Sequence, residues 1–147
     1  MNKSKRLFLM AVFLLIFHST AYGASINMDI IQRIESGGNV MAYNRNSQAR
    51  GLYQITPICL KEWNSFHKSE RYSQNQLFNG KINEKIAKWY LEVRIPQMLL
   101  HFKKEVTIEN IIWAYNAGIG YVVKNIKPKE TRNYIIKYNR GLNEKYR

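Results

Sequence analysis

Apolar residues recur at helical spacing along most of the chain, in short blocks parted by polar turns. Ile26, Ile30 and Ile34 share one helical face with Ile31 beside them, and Ser36-Gly37-Gly38 ends that run. From Ala42 to Gln54 the chain is rich in Asn, Ser, Arg and Gly, which predicts a loop with room for a short hairpin. Thr56 followed by Pro57 has the chemistry of an N-cap and a first helical residue, opening a helix that runs to Phe66. Between Lys81 and Phe102, Ile82, Ile86, Trp89, Tyr90 and Val93 repeat on one face, and Pro96 is expected to divide or kink the helix. Thr107 caps the next helix, with Glu109 well placed against its macrodipole. Ile108, Ile111, Ile112 and Tyr115 line one side before Gly118 stops it. Pro128 separates a short segment from a last helix carrying Tyr134, Ile135 and Tyr138. Strand-like alternation is scarce. The predicted fold class is mainly α, a compact single domain of five or six short helices with a small irregular or β insert.

At 147 residues the chain has the length of one domain. Its start reads as an export signal over residues 1–23. Lys3, Lys5 and Arg6 form a basic head, and Leu7 to Phe17 is an unbroken apolar run. Ala21 and Gly23 then supply small residues, which predicts cleavage before Ala24 and a folded domain over residues 24–147. The apolar run is short for a bilayer span, which needs roughly 20 residues; an uncleaved anchor is the alternative. Export to the periplasm or cell envelope is the expectation.

Charge narrows the partner. The net charge is +13, and removing Lys3, Lys5 and Arg6 leaves +10. A basic exported domain is drawn to anionic polymers, among them nucleic acid, acidic lipid and the bacterial wall. Cys59 is the only cysteine, so an internal disulfide and a cysteine-rich metal site are both excluded. His18, His67 and His101 lie far apart without metal-ligand spacing. Neither a metal nor another cofactor is predicted.

Three blocks carry candidate chemistry. Glu35 falls one turn after Ile31, at the rim of the isoleucine face and at the end of its helix. Partial burial and the negative helix terminus both favour its protonated form, which suits a general acid. The alternative is an ordinary surface glutamate at a fraying helix end. Gly51-Leu52-Tyr53-Gln54 offers close backbone approach and an amide able to meet sugar hydroxyls. Ala114-Tyr115-Asn116-Ala117-Gly118 places a phenol and an amide between small residues at a helix end, where Tyr115 either faces a groove or completes the apolar stripe.

In this order the blocks resemble the lytic transglycosylases of the soluble-lytic type, on a lysozyme-like fold. The matching segments are Ile34-Glu35-Ser36-Gly37, Ala49-Arg50-Gly51-Leu52-Tyr53-Gln54-Ile55, Ala114-Tyr115-Asn116-Ala117-Gly118 and Glu130-Thr131-Arg132-Asn133-Tyr134. The resemblance implies that Glu35 is the catalytic acid and base, with Ser36 starting the turn and Gln54 lining the groove. It implies Tyr115 near the reacting sugar, Asn116 shaping the cleft, and Glu130 on the peptide side of the substrate or the cleft wall, with Tyr134 packed beside it. Ser47 is expected to supply a hydroxyl near the acetamido group. Two departures stand out. Tyr53 replaces the usual Met, where a flat ring is expected to cover a sugar face, and Ile119 replaces the common Pro.

Most glycosidases use two carboxylates on opposite sides of the bond. From Ser36 through Lys61 there is no acid at all, Asp29 is expected on the far side of the first helix, and Glu62 on a solvated face. The resemblance supplies another route, in which the sugar's acetamide assists and a 1,6-anhydro ring forms without water. Peptidoglycan glycan strands are the implied substrate, cut by a monomer. The nearest rival is a single-acid hydrolytic lysozyme. A basic binding protein for wall glycan or nucleic acid is the rival from another class, although no nucleic-acid motif accompanies the charge. A role in opening the wall for a secretion, conjugation or pilus assembly is an expectation from resemblance alone.

Overall fold

The computed structural model describes residues 25–145; the expected export signal and its junction at Ala24 lie outside the described residues. Seven α-helices follow one another there: α1 (Met28–Ser36), α2 (Pro57–Phe66), α3 (Gly80–Trp89), α4 (Ile95–His101), α5 (Ile108–Ala117), α6 (Ile119–Val123) and α7 (Lys129–Lys145). A 3-10 turn spans Asn75–Phe78 and a π-helical turn spans Tyr90–Arg94. None of the described helices is long and apolar enough to cross a membrane.

The caps are those the sequence predicts. The Thr56 side chain accepts from the Cys59 N–H and that of Thr107 from the Asn110 N–H. α1 ends at Gly37 in the left-handed conformation, whose N–H returns to the Arg33 carbonyl. At its other end the Asn27 N–H donates to the buried Tyr138 hydroxyl at 2.8 Å, fastening α1 to α7.

α5 is the central element. Ile111, Ile112, Trp113 and Ala114 are all buried, so successive faces of this helix meet protein. Ile30 and Ile31 of α1, Leu60 and Trp63 of α2, and Tyr134, Ile135 and Tyr138 of α7 belong to the same core. Each fully buried side chain of this size contributes about 1.5–3 kcal/mol of hydrophobic stabilisation.

Four expectations change. The predicted break at Pro96 comes earlier, as the π turn, with the Ile95 N–H bonding the Tyr90 carbonyl. Pro96 has no N–H for the Glu92 carbonyl and its ring would crowd that oxygen; a wider turn just upstream relieves both. The turn also shifts the helical register, so Leu91 and Ile95 are buried while Val93 is exposed. The segment after Gly118 is itself a short helix, α6. Residues 42–55 form no regular hairpin; two isolated bridges, Tyr43 with Arg50 and Arg50 with Ile55, hold the insert. Glu62 is not on a solvated face: it is half-buried and accepts from Arg94 Nε at 2.9 Å.

Candidate active site

A cleft of ≈ 890 Å³ runs between the insert, the end of α1, the end of α5 and the first turns of α7. Glu35 and Ile34 form one edge; Asn44, Ser47, Ala49, Gln54 and Ile55 come from the insert. Ala114 through Gly118 close the end of α5, and Lys129, Glu130, Asn133, Tyr134 and Lys137 project from α7. Cys59 also lines it, its thiol held neutral by burial and therefore a poor nucleophile.

Glu35 is the electrostatic centre. Its pKa is raised from 4.5 to about 7, first by burial and then by the nearby charge of Glu130, while a hydrogen bond from Tyr134 opposes the rise. The Tyr134 hydroxyl donates to Glu35 Oε1 at 2.7 Å. Burial beside that carboxylate keeps the Tyr134 phenol neutral and able to donate.

Four hydrogen bonds join the four sequence blocks into a closed circuit. Ser36 Oγ donates to the Leu52 carbonyl at 2.8 Å, and the Tyr115 hydroxyl donates to the Tyr53 carbonyl at 2.6 Å. Thr131 Oγ1 donates to Asn116 Oδ1 at 2.7 Å, and Tyr134 closes the loop on Glu35. Segments separated by as many as 99 residues thereby fix one another around the acid.

The insert needs its own support, because little regular structure holds it. Asn83, fully buried on α3, accepts from the Tyr53 N–H at 2.8 Å and donates to the Arg50 and Leu77 carbonyls at 2.8 and 2.9 Å. Gly51 passes so close to this amide that a β-carbon there would lie 2.3 Å from Asn83 Nδ2, at a φ of +77°. Gln54 has a φ of 49°, unusual for a residue with a side chain. Its Nε2 offsets that strain by donating to the Gly51 and Ala42 carbonyls at 3.0 and 3.3 Å.

Of the residues singled out from sequence, Glu35, Ser47, Gln54, Tyr115, Asn116, Glu130 and Tyr134 meet in the cleft. Two do not. Tyr53, expected to cover a sugar face, is 2 % exposed and belongs to the core, where its ring is removed from water. Ser36 is not a cleft wall either; its hydroxyl is engaged with the Leu52 carbonyl and ties α1 to the insert. The Tyr115 hydroxyl and Asn116 Oδ1 are likewise engaged with protein, so Tyr115 presents its ring to the cleft.

Sequence reasoning does not single out Lys129, Asn133 and Lys137, although their spacing of four places them on one face of α7. It gives no role to Thr131 or Asn83. Thr131 stands inside a matching block, whereas nothing local marks Asn83.

Compared with known families, residues 21–139 match the family model described as Transglycosylase SLT domain. No curated protein matches the chain.

Proposed function

Because this chain belongs to the transglycosylase SLT domain family, and thus to the peptidoglycan lytic transglycosylases of the lysozyme-like superfamily, we propose that it cuts the β-1,4 bond between N-acetylmuramic acid and N-acetylglucosamine with Glu35 as acid and then base. The observation that carries this reading is a half-buried carboxyl with a pKa raised to about 7, held by Tyr134 at the wall of a cleft. A carboxyl balanced near neutrality can both give and take a proton at working pH.

In the first step Glu35 donates its proton to the glycosidic oxygen as the bond from that oxygen to C1 breaks. The acetamide carbonyl oxygen of the muramic sugar stabilises the electron-poor C1. The Glu35 carboxylate then takes the proton of the same sugar's C6 hydroxyl, whose oxygen bonds to C1 and releases the acetamide. Glu35 ends protonated, and no water is consumed. Intramolecular attack has an orientation advantage over a nucleophile from bulk solvent. The ring of Tyr115 and the walls from the insert and α7 would hold the sugar in place for it.

A hydrolytic alternative keeps one supporting observation, since Glu130 shares the cleft with Glu35. Mass spectrometry of wall fragments released by the purified chain separates the two. Anhydro-muramic ends are expected; reducing ends alone would reject the transglycosylase chemistry.

By the same reading the chain acts in the periplasm or envelope after export, on glycan strands and as a monomer. Its service would be to open the wall locally for a secretion, conjugation or pilus assembly. The basic net charge, +13 for the chain and +10 once Lys3, Lys5 and Arg6 are removed, supports wall attraction. A deletion strain in which every envelope-spanning assembly forms normally would reject that service.

A further inference from the structure

A second, smaller groove of ≈ 300 Å³ lies between α1 and α7. Ile30 and Gly141 form its floor, where the helices meet so closely that a β-carbon at 141 would sit 3.0 Å from Ile30 Cγ2. Arg33, Lys137 and Arg140 line it, with Glu144 the one opposing acid. Among the described residues none of these three cations is in an ion pair, and neighbouring Asp29 is engaged by Lys145. Cations gathered on a concave wall focus a positive field that attracts anions. Ile34 and Lys137 line both this groove and the cleft, so the two adjoin.

Resting on the wall-cleaving reading above, we propose that this groove binds the carboxylates of the peptide stem borne by the strand in the cleft. In intact peptidoglycan the lactyl carboxyl of each muramic sugar is held in its amide bond to the peptide, whereas each peptide stem carries free carboxylates. Guanidinium forks match carboxylates in pairs of parallel hydrogen bonds, and Arg33 and Arg140 supply two of them. Adjacency across Lys137 suits an anion tethered to the glycan better than one arriving alone. The enzyme therefore favours peptide-bearing strands over stripped ones.

The test uses the Glu35→Gln chain, which leaves bound strands uncut, and fluorescence anisotropy with three glycan fragments of one length. One carries its peptides, one carries peptides with amidated carboxylates, and one has no peptides and its lactyl carboxyls capped as simple amides. The first is expected to bind about five- to tenfold more tightly than the others, the scale of two partly exposed ion pairs. That advantage shrinks as salt rises. Adding Arg33→Gln and Arg140→Gln abolishes it without altering affinity for the stripped fragment, and Arg33→Lys with Arg140→Lys restores only part of it, since an ammonium keeps the charge and loses the fork. Equal affinity for all three fragments overturns the proposal, as does an advantage that survives the Gln pair. Equal competition by an oligonucleotide of matching charge overturns it too, since the groove would then be a generic anion surface. Turnover by the unsubstituted chain is measured in parallel. Binding preference without cleavage of any fragment rejects the enzymatic reading and leaves the groove's role supported.

Discussion

The Tyr134 hydroxyl stands 2.7 Å from Glu35 Oε1 and donates to it. Burial favours the protonated acid, this hydrogen bond favours the carboxylate, and the balance falls at about 7. A group used first as donor and then as acceptor needs both forms within reach, and this pair provides them. The same bond fixes the carboxyl group's direction at the end of α1, where the helix terminates at Gly37.

The pH dependence of cleavage follows from the two neighbours of Glu35, and they act in opposite senses. Activity on free substrate is expected to fall as pH rises through about 7, where Glu35 loses the proton it must donate. Tyr134→Phe removes the bond that lowers its pKa, so the alkaline limb moves to higher pH. Glu130→Gln removes the charge that raises it, so the limb moves to lower pH. Profiles of kcat/KM for the three proteins check this. A limb at the same pH in all of them would assign the titration to another group.

Replacing the acid should separate binding from chemistry. Glu35→Gln keeps an amide oxygen able to accept from Tyr134 and removes the proton exchange. Turnover is expected to drop about 10²–10⁴-fold, the usual contribution of general acid–base catalysis. Affinity for uncut glycan should remain near that of the unsubstituted chain. Turnover of wall fragments and equilibrium binding, measured on one preparation, give both quantities.

Stability carries the mark of the same carboxyl. Its folded-state pKa of about 7 exceeds the ordinary value of 4.5, so the folded protein holds this proton more tightly than the unfolded chain. The Glu35 contribution therefore grows unfavourable as pH rises from about 4.5 to about 7, and is constant on either side. The shift corresponds to roughly 3 kcal/mol. Glu35→Gln is thus expected to be more stable than the unsubstituted chain at pH 8, by up to about that amount, with the gap closing towards pH 4. Urea unfolding of both proteins at the two pH values is the measurement.

Much of this was legible in sequence because it depends on local chemistry. Thr56, Thr107, Gly37 and Gly118 mark helix ends through their own capping preferences, and α5 declares itself by its isoleucine stripe. The π turn was not legible: it arises from the conflict between Pro96 and the Glu92 carbonyl, and it moves Val93 outward by shifting register. Tyr53 shows the limit at the site. Whether an aromatic ring covers a sugar or enters the core is decided by packing, and Tyr53 enters the core. Glu35 was legible through its place at the rim of an apolar face. Its tie to Tyr134 and the Ser36, Tyr115 and Thr131 bonds that complete the circuit depend on segments brought together only by the fold.

The insert rests on Asn83, which makes the last prediction a test of how the cleft is held open. Its amide uses both N–H donors and its oxygen on backbone groups at 2.8 to 2.9 Å. Asn83→Ala strands the Tyr53 N–H and the Leu77 carbonyl, each costing about 1–3 kcal/mol where water cannot replace the partner, while the Arg50 carbonyl keeps the Ile55 N–H. A loss of about 3 kcal/mol is expected. Gly51→Ala should be comparably severe, because its new β-carbon meets both Asn83 Nδ2 and, at 2.4 Å, the Leu77 carbonyl. Combining them should cost less than their sum, since truncating the Asn83 side chain removes the first clash and leaves the second. Urea unfolding of the three variants gives the coupling. Strict additivity would mean that Gly51 and Asn83 support the insert independently, contrary to the close approach seen between them.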